Sequence, residues 1–411
     1  MNRQIRRLGV ALMVLFAALF VQLNHIQVLQ ASKLANSPGN TRTVTANFSR
    51  PRGVIRTADG VVVARSVPSN DAFKYQRQYP QGPLYGQITG YYSFVYGSDG
   101  VERTYDPQLT GRSLPIRSIH DLLAPRQSTG DVTLTIDSRL QQAAQTALGN
   151  KVGSVVVMRP SDGAVLAMWS YPSYDPNPLA AHKSVDERSA WNLYNLNKTQ
   201  PMLPRAYRRS YPPGSTFKVI DSTAVYDHNP SLSTKSYPVV SSIPLPDTTN
   251  KLHNFQGETC GGQLPEMLKV SCDTGFGQVG LDLGADNLSA AADAFGFNQR
   301  PPLDLPGVAK STFPPASFFR HNRPLVAFAA IGQADVSATA LQMALVAAGI
   351  ANNGTIMTPH VMSDIRDADG NVVKKFAPKP WIQATSPQTA QQVGQLMIGV
   401  TQPGGTAPDL N

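Results

Sequence analysis

The sequence predicts an α+β protein carried on an amino-terminal membrane anchor, with a mostly β region (residues 31–130) ahead of a larger mixed domain (131–411). Three observations predict it. An apolar run follows three arginines at the amino terminus, two short strand pairs read as hairpins, and amphipathic helical stretches accompany a long Pro- and Gly-rich middle. At 411 residues the chain exceeds one ordinary domain, and 41% hydrophobic with 15% charged residues suits a sizeable core.

Arg3, Arg6 and Arg7 precede the apolar stretch that starts at Leu8. Its uninterrupted part, Leu8 to Val21, resembles a signal-peptide core. Extended to Leu29, with Gln22, Asn24 and His25 at the outer interface, it reaches the ~20 residues a helix needs to cross a bilayer. A cleaved signal would need an A-x-A-like site, yet Leu29 and Lys33 stand two positions before Ala31 and Ala35. An uncleaved single-pass anchor (residues 1–30) is therefore expected in the cell membrane, with the arginines cytoplasmic and the body outside.

The net charge of +9 fits an anionic neighbourhood. No aromatic-basic box or zinc-finger spacing is present, so no nucleic-acid partner is expected. Cys260 and Cys272 have His253 nearby but too few ligands for a structural zinc, so no metal is expected. Export makes a disulfide between them possible, and we read them as bridged over the alternative of two buried free thiols.

After a polar tract, residues 31–49, the stretch RPRGVIRTADGVVVARS (50–66) reads as a hairpin turning at Thr57–Gly60. A second landmark is GSDGVERTYDPQLTG (97–111), and the polar stretch 112–130 is a domain boundary. From Asp131, VTLTID is an alternating strand. Asp137 then caps a helix, Ser138 to Leu148, with Leu140, Ala144, Ala147 and Leu148 on one face. GSVVVMRPSDGAVLAMWS (153–170) is a second hairpin. Thr339-x-x-Gln342 forms a capping box for a helix to Ala351, closed by Asn352-Asn353-Gly354.

The best candidate for chemistry is YPPGSTFKVIDSTAVY (211–226). Pro212-Pro213-Gly214 breaks the chain and a helix begins near Ser215. Phe217, Ile220, Ala224 and Val225 mark its buried face, while Ser215 and Lys218 lie one turn apart on another. A serine hydroxyl is a poor nucleophile until a base takes its proton. Lysine serves as that base only when neutral, and burial and the positive end of a helix both favour the neutral form. Ser-x-x-Lys alone also fits a capping serine with a solvated lysine; the flanking Pro-Pro-Gly and Thr-Phe-Lys sharpen it.

Together these segments resemble the class B penicillin-binding proteins, the D,D-transpeptidases that cross-link peptidoglycan, and within them the actinobacterial branch called penicillin-binding protein A. YPPGSTFK resembles the family's nucleophile motif, RPRGVIRTADGVVVA and GVERTYDPQLTG its non-catalytic pedestal. LTIDSRLQ, GAVLAMWSYPSYDPN and IGQADVSATALQMALVAAGIANNG resemble transpeptidase segments. The resemblance implies that Ser215 is acylated by D-Ala-D-Ala stem peptides and by β-lactams, with no metal or organic cofactor. It also implies divisome or elongasome partners. VSCDTGFGQVG supplies Ser271-Cys272-Asp273 where the family has Ser-x-Asn, so Ser271 would relay a proton and Asp273 replaces the amide. An ionised Asp273 accepts hydrogen bonds but donates none, and can hold Lys218 charged.

The third family motif is Lys-Thr/Ser-Gly. No Lys, His or Arg here is followed by Thr-Gly or Ser-Gly, and the sequence ends eleven residues past Val400, before the place where the motif belongs. The resemblance gives that strand half of the oxyanion hole, the Ser215 N–H being the other half. Losing one donor costs about 10²–10³ in rate. The sequence is accordingly read as a transpeptidase domain lacking its carboxy-terminal strands, from a truncated frame, a fragment or a split protein. Its activity is then in doubt, the alternative being a membrane-anchored, non-catalytic partner-binding protein. A β-lactamase or sensor is disfavoured by anchor plus pedestal, and a Ser-His-Asp hydrolase by the missing G-x-S-x-G elbow.

Overall fold

The computed structural model describes residues 2–30, 48–112 and 129–410. The tract 31–47 and the boundary segment 113–128 lie outside the described residues. The chain divides into two compact units, Met1–Pro51 with Val67–Gln76, and Arg52–Ser66 with Arg77–Asn411.

The first unit carries α1 (Asn2–Asn24), prolonged by a π-helical turn, His25–Leu29. From Arg3 to Gln27 it forms a 25-residue helix long and apolar enough to cross a membrane. Its large apolar side chains, from Ile5 to Leu23, all face outward. Asn24 Nδ2 donates back to the Phe20 carbonyl at 2.8 Å, which spares its amide part of the cost of an apolar setting.

In the second unit, the first hairpin forms as its turn residues require. β1 (Ile55–Arg56) and β2 (Val62–Pro68) pair antiparallel, with Gly60 at φ +89° in the turn. They belong to a six-stranded sheet with β3 (Tyr75–Gln78), β4 (Asp131–Leu134), β8 (Met362–Arg366) and β9 (Val372–Lys375), in the order β9-β8-β4-β1-β2-β3. β1 and β4 run parallel, Ile55 opposite Val132, and β8 lies antiparallel to β4. Three stretches far apart in sequence thus share one sheet. Ile55, Val63, Val132, Leu134 and Ile365 are buried.

Beside this sheet the two amino-terminal landmarks meet over a buried charge cluster. Arg52 Nε donates to Glu102 Oε2 at 3.0 Å and its Nη1 to Asp106 at 2.7 Å, while Arg77 Nε donates to Glu102 Oε1 at 2.6 Å. Arg52, Arg77 and Glu102 are buried, so each charge depends on its partners. Tyr105 donates its hydroxyl to Asp304 at 2.5 Å. That carboxylate also accepts from the Val361 and Met362 amides at the entry to β8.

The mixed portion starts with α2 (Ser138–Leu148), whose Asp137 cap accepts from the Arg139 and Leu140 amides. Its inward face differs from the sequence expectation. Leu140 is 38% exposed and Ala147 is exposed, while Gln141 is fully buried beside Ala144. Gln141 earns that place by hydrogen bonding, donating to the Leu84 and Met168 carbonyls and accepting from the Met168 amide. β5 (Gly153–Met158) and β6 (Val165–Tyr171) make the second hairpin. The core then centres on α3 (Lys218–His228) and α5 (Asp273–Ala294), joined by α6 (Ala340–Ala351) and α7 (Pro387–Thr401). On α6, Leu341, Leu345 and Ala348 are buried as the period predicts. Only half of its capping box forms: Thr339 accepts from the Gln342 amide, but the Gln342 side chain donates to Phe295 O instead.

Candidate active site

Ser215 stands on a 3₁₀ turn, Gly214–Phe217, that runs directly into α3. Residues three apart eclipse on such a turn, so this serine and Lys218 share one edge. Lys218 Nζ donates to Ser215 Oγ at 3.1 Å. The anchoring face packs as the period predicts, with Phe217 fully buried, stacked on Phe313 and edge-on to Phe297. The Gly214 amide donates to the Gly332 carbonyl at 3.1 Å. Gly332 has φ +71°, and a Cβ there would lie 2.3 Å from the Gly214 carbonyl oxygen, so the turn's close approach requires glycine.

The second group of residues arrives from more than fifty positions away. Lys218 Nζ also donates to the Ser271 carbonyl at 2.7 Å, Ser271 Oγ at 3.1 Å and Asp273 Oδ1 at 2.6 Å. Ser271 adopts φ +56°, a region that non-glycine residues seldom occupy, and this brings both its oxygens within reach of one ammonium. Two ties hold the turn. Cys272 is disulfide-bonded to Cys260 of β7 (Cys260–Gly262), Cα–Cα 5.7 Å, and the Thr274 amide donates to Asn254 Oδ1 at 2.8 Å. The preceding helix, α4 (Leu264–Lys269), is fixed by a reciprocal Gln263–Glu266 cap.

Lys218 is fully buried, whereas Ser215 is exposed. Burial pushes the lysine below its ordinary value, opposed chiefly by the negative charge of Asp273. Four acceptors surround an ammonium with three protons, so the hydroxyls of Ser215 and Ser271 compete for it. A neutral Nζ held against Ser215 Oγ can take that hydroxyl's proton. Ser215 opens onto a cavity of about 370 Å³ lined by Val219, Leu268, Met343 and Val346, with Ser271 also in its wall.

A penicillin-binding protein transpeptidase domain matches residues 153–410, and the dimerisation domain of penicillin-binding protein A matches 52–132. The peptidoglycan D,D-transpeptidase PbpA of Mycolicibacterium smegmatis is 39% identical over 98% of this chain and 83% of its own length. The chain belongs to the class B penicillin-binding proteins. Among solved structures of this family, penicillin-binding protein A from M. tuberculosis as its imipenem acyl-enzyme complex superposes with TM-score 0.80 at 35% identity. That match covers 86% of this chain and 83% of the other. Pseudomonas aeruginosa PBP2 in complex with WCK 5153 gives TM-score 0.72 at 30% identity, covering 88% and 81%.

Within this class B site, Ser215, Lys218, Ser271 and Asp273 lie together. Sequence reasoning missed Asn254, Gly332 and Asp221. Asp221 had a visible signal: an acidic residue between Phe217 and Val225 on the face assigned to the core. It is fully buried, and neither carboxyl oxygen has a hydrogen-bond partner among the described residues. Burial pushes it well above the usual carboxylate range, opposed by Lys218.

Proposed function

We propose that this protein is a serine D,D-transpeptidase that cross-links peptidoglycan stem peptides and is acylated by β-lactams. The observation that carries the reading is the single Lys218 Nζ shared by Ser215 Oγ, Ser271 Oγ and Asp273. Neutral Lys218 takes the Ser215 proton as Oγ attacks the carbonyl between the two D-alanines. The Ser215 amide helps to hold the resulting oxyanion. Collapse expels the terminal D-alanine, its amine receiving a proton from Lys218 through Ser271. An amine of a neighbouring stem peptide then attacks the ester, forming the cross-link and releasing Ser215. A β-lactam follows the first half of this path, its ring nitrogen taking the place of the leaving amine.

Residues 1–30 serve as cytoplasmic tail and anchor, 31–130 as a pedestal that meets the membrane-bound division or elongation machinery, and 131–411 as the transpeptidase domain. The apolar helix behind Arg3, Arg6 and Arg7 supports an extracytoplasmic body. Protease added to intact spheroplasts should digest that body; a shielded body refutes the orientation. Fluorescent penicillin should label the wild-type chain covalently at Ser215, and Ser215→Ala should remove the label. Lys218→Ala should slow labelling by about 10²–10⁴, the usual worth of a positioned base. Undiminished labelling of Ser215→Ala overturns the nucleophile assignment.

A further inference from the structure

Asp221, on the helix that follows the nucleophile, takes no part in the mechanism above. Asp221 lies one turn beyond Lys218 on α3, at the i, i+3 spacing that makes residues neighbours on a helix. It is fully buried, its carboxyl oxygens reach no donor among the described residues, and its helix neighbours Ile220, Ala224 and Val225 are apolar. A carboxyl that folding removes from water without a hydrogen bond is costly to keep, and an uncharged core residue would pack more favourably at that position.

What it faces is limited. Of the elements packed against α3, the turns Gly214–Phe217 and Pro230–Ser233 and the helix α7 contain no Asp, Glu, Lys, Arg or His. α5 carries Asp273, which is in contact with Lys218, Asp282, which is paired with Lys235 and Tyr237, Asp286, and Asp293, which accepts from Asn298. On α3 itself, Asp227 is held by Thr385 and Thr389, and His228 stands at the far end. The charge that acts on Asp221 is that of Lys218.

We propose that Asp221 is a positioning residue that sets the charge state of Lys218 from the buried side, as Asp273 does from the cleft side. Protonated, Asp221 leaves the lysine free to lose its proton and serve as base. Ionised, it adds a second negative charge in a medium that screens poorly, holds Lys218 as ammonium and idles the nucleophile. The two groups therefore titrate as a coupled pair. This rests on the reading of Lys218 as the base for Ser215.

The test is the titration of Lys218 itself, followed by the NMR shift of its Cε in the full chain carrying ¹³C-lysine, with the signal assigned by its loss in Lys218→Met. Asp221→Asn removes the charge and keeps the shape. Its Lys218 midpoint should fall by about one pH unit relative to wild type, as expected for an opposite charge about a helical turn away. Asp221→Thr, similar in volume and uncharged, should give the same shift. The rise of penicillin acylation with pH should move by the same amount. Midpoints that coincide in wild type and both variants overturn the proposal, as does a variant whose acylation falls by one factor at every pH, the mark of a packing defect. Full labelling of Ser215→Ala would instead overturn the nucleophile reading, while a shifted Lys218 midpoint would still show the coupling to Asp221.

Discussion

Replacing Asp273 by asparagine puts a neutral amide in place of the carboxylate and removes the charge that touches Lys218. The contact is 2.6 Å, and the Asp273 side chain keeps 19% of its exposure while Lys218 keeps none. Burial lowers the lysine and Asp273 is its main opponent, so the substitution leaves burial less opposed and Lys218 loses its proton at lower pH. An opposite charge in contact shifts such a group by about 1–3 pH units, and partial exposure of Asp273 argues for the lower half of that range. On the acid limb the neutral lysine fraction changes tenfold per pH unit, so Asp273→Asn should acylate about 10–100-fold faster at a fixed pH there. Fluorescent penicillin labelling, quenched at intervals across a pH series, measures both quantities. The limb should move to lower pH while the plateau changes little. A limb that stays in place, or moves to higher pH, refutes the account of Lys218 as a base held back by Asp273.

Two further outcomes follow from the same geometry. Non-reducing mass spectrometry should find the Cys260 and Cys272 peptides linked; closing a loop of this length contributes about 3 kcal/mol, so Cys272→Ser should lower unfolding stability by that order and slow acylation by freeing the Ser271 turn. Glu102→Ala removes the buried carboxylate that Arg52 and Arg77 share, leaving Arg52 its ion pair with Asp106, and should cost about 3–5 kcal/mol in denaturant unfolding, whereas a surface carboxylate such as Asp369 should cost almost nothing.

Features made within a few residues were legible in the sequence. The Ser215–Lys218 pair follows from i, i+3 spacing, Asp137 and Thr339 cap the helices that follow them, and Gly60 closes its turn because local dihedrals demand it. The apolar run at the amino terminus likewise declares its own helix. Leu140 and Gln141 mark the limit of that reading. Helical period alone cannot tell which face of α2 turns inward when a glutamine can satisfy three backbone groups of neighbouring segments.

Tertiary structure decided what depends on contacts across many residues. The assembly of one sheet from β1, β4 and β8 pairs segments whose registers no local pattern encodes. Ser271 and Asp273 could be named as motif residues, but only folding brings them to 3.1 and 2.6 Å from Lys218 and forces Ser271 into a left-handed conformation to do so. The isolation of Asp221 is likewise a property of the packed core. Whether a carboxyl finds a donor depends on every element that closes around it, and a sequence specifies that set only through the fold.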